Sequence, residues 1–179
     1  APVTAKTVLV TGGSGFVGAR LIEPLRAAGW KVRALVRTEQ ARARVTELGA
    51  EAAIGDLDNA TSLEHAVQGC EGVLHGAALF RLWSDRRDFE KANVQGTRRL
   101  LDAARRAGTV RRFVQIGAAA VVMGDMEPML RANEQLPRQE REWAPYSASK
   151  ARSEALVLAA NEPGAFETVR SEEHTSELQ

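Results

Sequence analysis

The chain has 179 residues, of which 44% are hydrophobic and 26% charged, which suits one globular domain with a sizeable core or a larger protein cut short. A net charge of +1 excludes a field that recruits nucleic acid, and the Arg98-Arg99 and Arg105-Arg106 pairs read as solvated helix faces. The single cysteine, Cys70, excludes an internal disulfide framework and a cysteine-rich metal site. With no apolar run of membrane-spanning length and no signal-peptide pattern at its start, the chain is expected to be cytoplasmic and to act on a small molecule.

Val8 to Thr11 reads as a short buried strand that runs straight into glycines at 12, 13, 15 and 18. Gly12 suits the positive φ of a tight strand-to-helix turn, Gly15 lets a pyrophosphate approach the backbone, and Gly18 lets the new helix pack closely. Unpaired N–H groups at that helix's start, with their partial positive charge, then face the phosphates. A dinucleotide site is expected. Glycines alone also suit any tight turn, but here a strand precedes and an amphipathic helix follows, with Phe16, Val17, Leu21, Leu25 and Ala28 at helical spacing and Gly29 closing it.

Lys31 to Val36 is the second strand, ending in Arg37. In a dinucleotide fold this end meets the adenosine ribose, where an acidic residue binds the 2′-hydroxyl and an arginine accommodates a 2′-phosphate. Arg37, helped by Arg33, favours NADP over NAD, the alternative cofactor; the blander reading of Arg37 is a solvated strand end. Gln40 to Leu48 reads as a helix stopped by Gly49, and Ala50 to Ile54 as a third strand followed by Gly55-Asp56-Leu57-Asp58. The Asp56 carboxylate either accepts from an adenine amino group or caps the helix that begins near Thr61. Gly72 to His75, the fourth strand, leads into Gly76-Ala77-Ala78, small residues that leave room for a cofactor; His75 has no acidic partner nearby and reads as structural. Asp85 to Ala107 carries a long helical pattern with Phe89, Val94, Thr97, Leu101 and Ala104 near one face, and Gly108 ends it. Arg112 to Ile116 is the fifth strand. A mostly polar segment from Met123 to Pro145 has the length of a lid or substrate-contacting loop. Strands alternating with helices imply a doubly wound parallel sheet with helices on both faces.

In PYSASKARSEALVLAA, Tyr146 and Lys150 stand one helical turn apart on one face. A lysine ammonium beside a phenol favours the phenolate and makes the tyrosine a usable acid/base; the same ammonium can hold a nicotinamide ribose. A Tyr-Lys pair on a solvated helix is the bland alternative. Joined to the upstream glycine loop, the pair is far more specific.

From about Thr7 to Val169 the sequence resembles the extended short-chain dehydrogenases/reductases, which include nucleotide-sugar epimerases and dehydratases, dihydroflavonol reductases and 3β-hydroxysteroid dehydrogenases. The resemblance rests on TGGSGFVG, GDLD, HGAA, NVQGT and YSASK. It implies a Rossmann-type fold, with Gly12, Gly13, Ser14, Gly15, Phe16, Val17 and Gly18 as the phosphate loop, Asp56 and Leu57 at the adenine, and Ala77 and Ala78 lining the cofactor. It makes Tyr146 the general acid/base, Lys150 its tuner and ribose ligand, and Asn93 a support for the active-site helix and a proton-relay water. It also implies a possible homodimer through the long helices. Three functions follow from it: an NADP-dependent oxidoreductase acting on a carbonyl or secondary alcohol, an epimerase or dehydratase that reoxidises its cofactor within one turnover, and an NADP-binding regulator with little turnover.

Two departures stand out. Ala119 occupies the position where the family usually places Ser or Thr to hydrogen-bond the substrate oxygen, and losing such a donor costs about a hundredfold or more in rate. The nucleotide-binding domain is expected over residues 1–169, whereas 170–179, RSEEHTSELQ, matches the translation of a common sequencing-adapter read and is expected to be a non-native tail on a truncated gene.

Overall fold

The computed structural model describes residues 6–81, 84–118, 121, 140 and 143–171. Six strands, β1 (Thr7–Thr11), β2 (Lys31–Val36), β3 (Glu51–Ile54), β4 (Gly72–His75), β5 (Arg112–Ile116) and β6 (Glu167–Ser171), form one sheet in the order β3-β2-β1-β4-β5-β6. Every pairing is parallel, so each connection must cross over a face of the sheet. Helices α1 (Phe16–Ala27), α2 (Glu39–Glu47), α3 (Ala60–Val67), α4 (Arg86–Phe89), α5 (Gly96–Ala107) and α6 (Pro145–Ala159) supply the cover. This is the expected doubly wound Rossmann-type fold.

Alternation along β1 divides the core. Leu9 joins one apolar cluster with Leu63 and Val67 of α3, Leu100 and Ala104 of α5, and Val157 of α6. Val8 and Val10 join the other with Ile22 of α1 and Val45 of α2. A strand buried on both faces must be apolar throughout, which is why VLV could be read as a central strand. Each fully buried Leu, Ile or Val side chain contributes about 1.5–3 kcal/mol, enough in sum to fix the layer order. The strand order reverses between β1 and β4, and in open parallel sheets such a reversal leaves a crevice beyond the strands' C-terminal ends.

The long helical pattern is interrupted. Asp85 caps α4 by accepting from the Arg87 amide at 2.9 Å, and Glu90–Gln95 then forms a π-helical turn before α5. Phe89 and Val94 both reach the interior although five residues apart, a step that an α-helix does not close and a π-turn does. Gly108, at φ +68°, ends α5 in the left-handed conformation. β6 runs through Ser171, pairing it with Ile116, so the strand crosses the boundary expected at residue 169.

Candidate active site

At the reversal point Thr11 ends β1 and the chain turns sharply through Gly12, whose φ is +74°. A Cβ there would meet the Ala77 amide nitrogen at 2.9 Å; one at Gly18 would lie 2.3 Å from the Gly12 carbonyl oxygen. The turn therefore stands against β4's exit on one side and the first turn of α1 on the other. Gly15 begins α1 with no side-chain cap. Ser14 and Gly15 there line a cleft of about 650 Å³ whose walls also include Gly12, Arg37, Asp56, Leu57, Ala77 and Ala78. A glycine cradle that a Cβ would fill, an uncapped helix start and small-residue walls fit a dinucleotide.

Gly13, Phe16, Val17 and Gly18 are not part of that wall. Gly13 backs onto Ala34, Gly18 sets the spacing of the turn, and Phe16 is exposed with the Arg20 guanidinium 3.7 Å from its ring centre. Gly13 and Gly18 thus shape the loop. Arg33 corrects the sequence reading more strongly. Its guanidinium lies on the α3 side, donating to the Ala66 and Gln68 carbonyls at 2.9 and 2.8 Å and pairing with Glu51. It closes the C-terminal end of α3 and does not help Arg37.

Arg37 does sit at the cleft, its side chain 76% exposed and 3.8 Å from the Asp56 carboxylate. Asp56 does not cap α3: Asn59 does, accepting from the Ser62 amide at 3.0 Å. Asp56 instead accepts from the Asp58 amide at 3.0 Å, which fixes the turn after β3.

The other end of the cleft is built by buried hydrogen bonds. Asn93, on the π-turn and 2% exposed, accepts from the Leu79 amide at 2.7 Å and donates to the Leu79 carbonyl at 3.2 Å and to Ser149 Oγ at 3.0 Å. Ser149 Oγ donates to the Tyr146 carbonyl at 2.7 Å, so one asparagine joins the cleft wall to α6. The Tyr146 ring packs edge-on against Phe80 and Phe89, with centroids 5.0 and 6.1 Å away. Both phenylalanines adjoin residues of the cleft wall, Leu79 and Asp88. Lys150 is buried and donates through Nζ to the Ile116 carbonyl at 2.8 Å. The structure thus ties α6, the helix that carries Tyr146 and Lys150, to Asn93 through Ser149 and to the end of β5 through Lys150. Ala119 and most of the polar segment from Met123 lie outside the described residues. Ser149, not singled out from the sequence, is a member of this junction; its position within YSASK, three residues after the tyrosine, was the only signal.

His75 is structural, as read. It is 2% exposed, with Nδ1 2.7 Å from Thr11 Oγ1 and Nε2 2.9 Å from Thr97 Oγ1. Burial, with the Lys150 ammonium adding to it, pushes its pKa down to about 3, so the ring is neutral. Among the described residues no group of His, Cys, Asp and Glu is placed to hold a metal ion, and no helix is long and apolar enough to cross a membrane.

A family model described as the 3-beta hydroxysteroid dehydrogenase/isomerase family matches residues 9–170. The chain is similar to a 4-hydroxy-2-methyl-3-oxo-4-farnesyl-3,4-dihydroquinoline-1-oxide ketoreductase of Stigmatella aurantiaca, 43% identical over 160 residues that cover 89% of this chain and 47% of the relative. Among solved structures it resembles a short-chain dehydrogenase/reductase superfamily protein of Agrobacterium tumefaciens with bound NAD, at TM-score 0.77 and 35% identity over 92% of this chain and 48% of that one. It also resembles the UDP-glucose 4-epimerase of Thermus thermophilus in complex with NAD, at TM-score 0.77 and 28% identity over 92% of this chain and 53% of that one. The chain spans about half the length of the curated relatives it matches.

Proposed function

The chain belongs to the 3-beta hydroxysteroid dehydrogenase/isomerase family, among the extended short-chain dehydrogenases/reductases, and from that premise we propose that the protein is an NADP-preferring oxidoreductase acting on a carbonyl or a secondary alcohol. The observation that carries this reading is the Asn93-Ser149-Tyr146 junction, which ties the tyrosine's helix to the wall of a glycine-cradled cleft. A bound nicotinamide would supply or accept the hydride. In the reductive direction Tyr146 Oη gives its proton to the carbonyl oxygen, so that hydride on carbon and proton on oxygen complete the alcohol. The Lys150 ammonium one turn along favours the resulting phenolate. Asn93 holds the helix that carries both.

What supports the preference for a 2′-phosphate is Arg37: exposed at the cleft, its guanidinium offers paired donors to phosphate oxygens. Its ion pair with Asp56 is a weak exposed contact that a phosphate would displace. Ala119 brings no hydroxyl to the substrate oxygen, so Tyr146 carries that oxygen with less help. Titrating the protein with NADPH and NADH, followed by a panel of ketones and aldehydes, tests the reading. Tighter binding of NADPH with stoichiometric consumption supports it; tighter binding of NADH refutes the preference. The epimerase neighbour favours a second reading, a nucleotide-sugar epimerase or dehydratase, for which turnover would proceed with no net change in cofactor.

A further inference from the structure

A directed line of hydrogen bonds runs through the interior from the cleft wall to the π-turn. It begins at a group that can only donate, the Ala77 amide, 3.1 Å from Thr11 Oγ1. It ends at one that can only accept, the Asn93 carbonyl, 2.6 Å from Thr97 Oγ1. The His75 imidazole fills the space between the two threonines, with Phe113 edge-on to its ring at 6.0 Å. The fixed ends set every proton between them. Thr97 gives its hydroxyl proton to Asn93, so its oxygen must receive Nε2–H from the ring. Nδ1 is then bare and accepts a hydrogen bond from the Thr11 hydroxyl, whose oxygen in turn accepts from the Ala77 amide. One tautomer satisfies all four hydrogen bonds.

We propose that His75 is a positioning residue: a neutral Nε2–H imidazole that locks the end of β1 and the Ala77 wall of the cleft to the π-turn, and so fixes the Asn93 side chain that holds Leu79 and Ser149. The ring touches neither cleft nor substrate and acts through Thr97 and Asn93. Few side chains can replace it. A glutamine can reach one threonine at the expense of the other, and a phenylalanine fills the volume while leaving two buried hydroxyls short of a partner. The π-turn shows what is being held: its Gly96 amide bonds back five residues to the Lys91 carbonyl, and the Thr97 hydroxyl ties the following turn onto Asn93. The catalytic consequence rests on the oxidoreductase reading; the tautomer does not.

The test has two arms on the full-length protein. Imidazole nitrogen NMR of histidine-labelled protein should show His75 with a bare Nδ1 and a protonated Nε2, unchanged from about pH 8 to about pH 5, the Lys150 ammonium on α6 being the charge that faces it. An Nδ1–H tautomer, or an imidazolium in that range, overturns the proposal whether or not the protein reduces ketones. In the second arm, Thr97→Val should lower kcat by about tenfold to a hundredfold while the Kd for NADPH stays within about threefold, and Thr97→Ser should restore kcat. His75→Gln should resemble Thr97→Val. A folded Thr97→Val protein with unchanged kcat, or with kcat falling and Kd rising together in step with lost stability, overturns the positioning role. Absence of any hydride transfer by the wild type would defeat the oxidoreductase reading, and the NMR arm would still decide the tautomer.

Discussion

The two ends of the cleft are held by different physics. At the β2–β3 end, Arg37 and Asp56 are exposed charges 3.8 Å apart, an arrangement that water and salt weaken and that can reorganise around a ligand. At the β4–α6 end, Thr11, His75, Asn93, Thr97 and Ser149 are all buried and joined by directed bonds of 2.6–3.0 Å. A buried polar group deprived of its partner costs about 1–3 kcal/mol, so this end has one arrangement. Selection of a cofactor suits the first construction, and placement of reacting groups suits the second.

The largest effect expected from breaking this contrast is at Tyr146. Tyr146→Phe keeps the ring's contacts with Phe80 and Phe89 but removes the proton donor. Turnover should fall by about a hundredfold to ten-thousandfold with NADPH affinity little changed, as steady-state kinetics beside binding titrations would show. Next comes the turn that both ends share. Gly18→Ala places a Cβ 2.3 Å from the Gly12 carbonyl oxygen, where the neighbour is backbone and cannot swing aside. Urea unfolding should register a loss of about 1–3 kcal/mol, together with weaker binding of either dinucleotide.

The buried end also carries a pH signature. With a folded pKa of about 3 against an ordinary value near 6.5, His75 binds a proton more readily in the unfolded chain. Its contribution to stability is complete above about pH 6.5 and is lost as pH falls toward 3, at about 1.4 kcal/mol per unit. Unfolding curves at pH 7, 6 and 5 should show this slope in the wild type and a shallower one in His75→Gln. The smallest effect belongs to the exposed end. Arg37→Asp should weaken NADPH by about tenfold, less so at high salt, and leave the pH dependence of stability alone. Unchanged NADPH affinity would remove Arg37 from the cofactor site.

Much of this was legible in the sequence. The five-residue step from Phe89 to Val94 already encoded the π-turn, but a face drawn at roughly helical spacing absorbed it. Arg33 was misplaced because its likeness to Arg37 was weighed before its depth in the strand: it stands four residues, about 13 Å, short of the C-terminal end that Arg37 follows, beside Glu51 and the end of α3. The cap at Asn59 lay one residue before a helix whose start was expected near Thr61, so the role fell to Asp56. The links through Ser149 and His75 depend on partners 56 and 22 residues away; periodicity cannot supply such pairings, since they exist only once the layers are packed. Glycine spacing and Tyr-x-x-x-Lys are local, and they were readable for that reason.

The decisive measurement is a crystal structure of the full-length protein with NADPH. The 2′-phosphate should lie on Arg37, the diphosphate on the Gly12–Gly15 turn and the nicotinamide ring beside Tyr146. A dinucleotide bound in the reverse sense, or with its nicotinamide away from Tyr146, would contradict the division of labour between the two ends of the cleft.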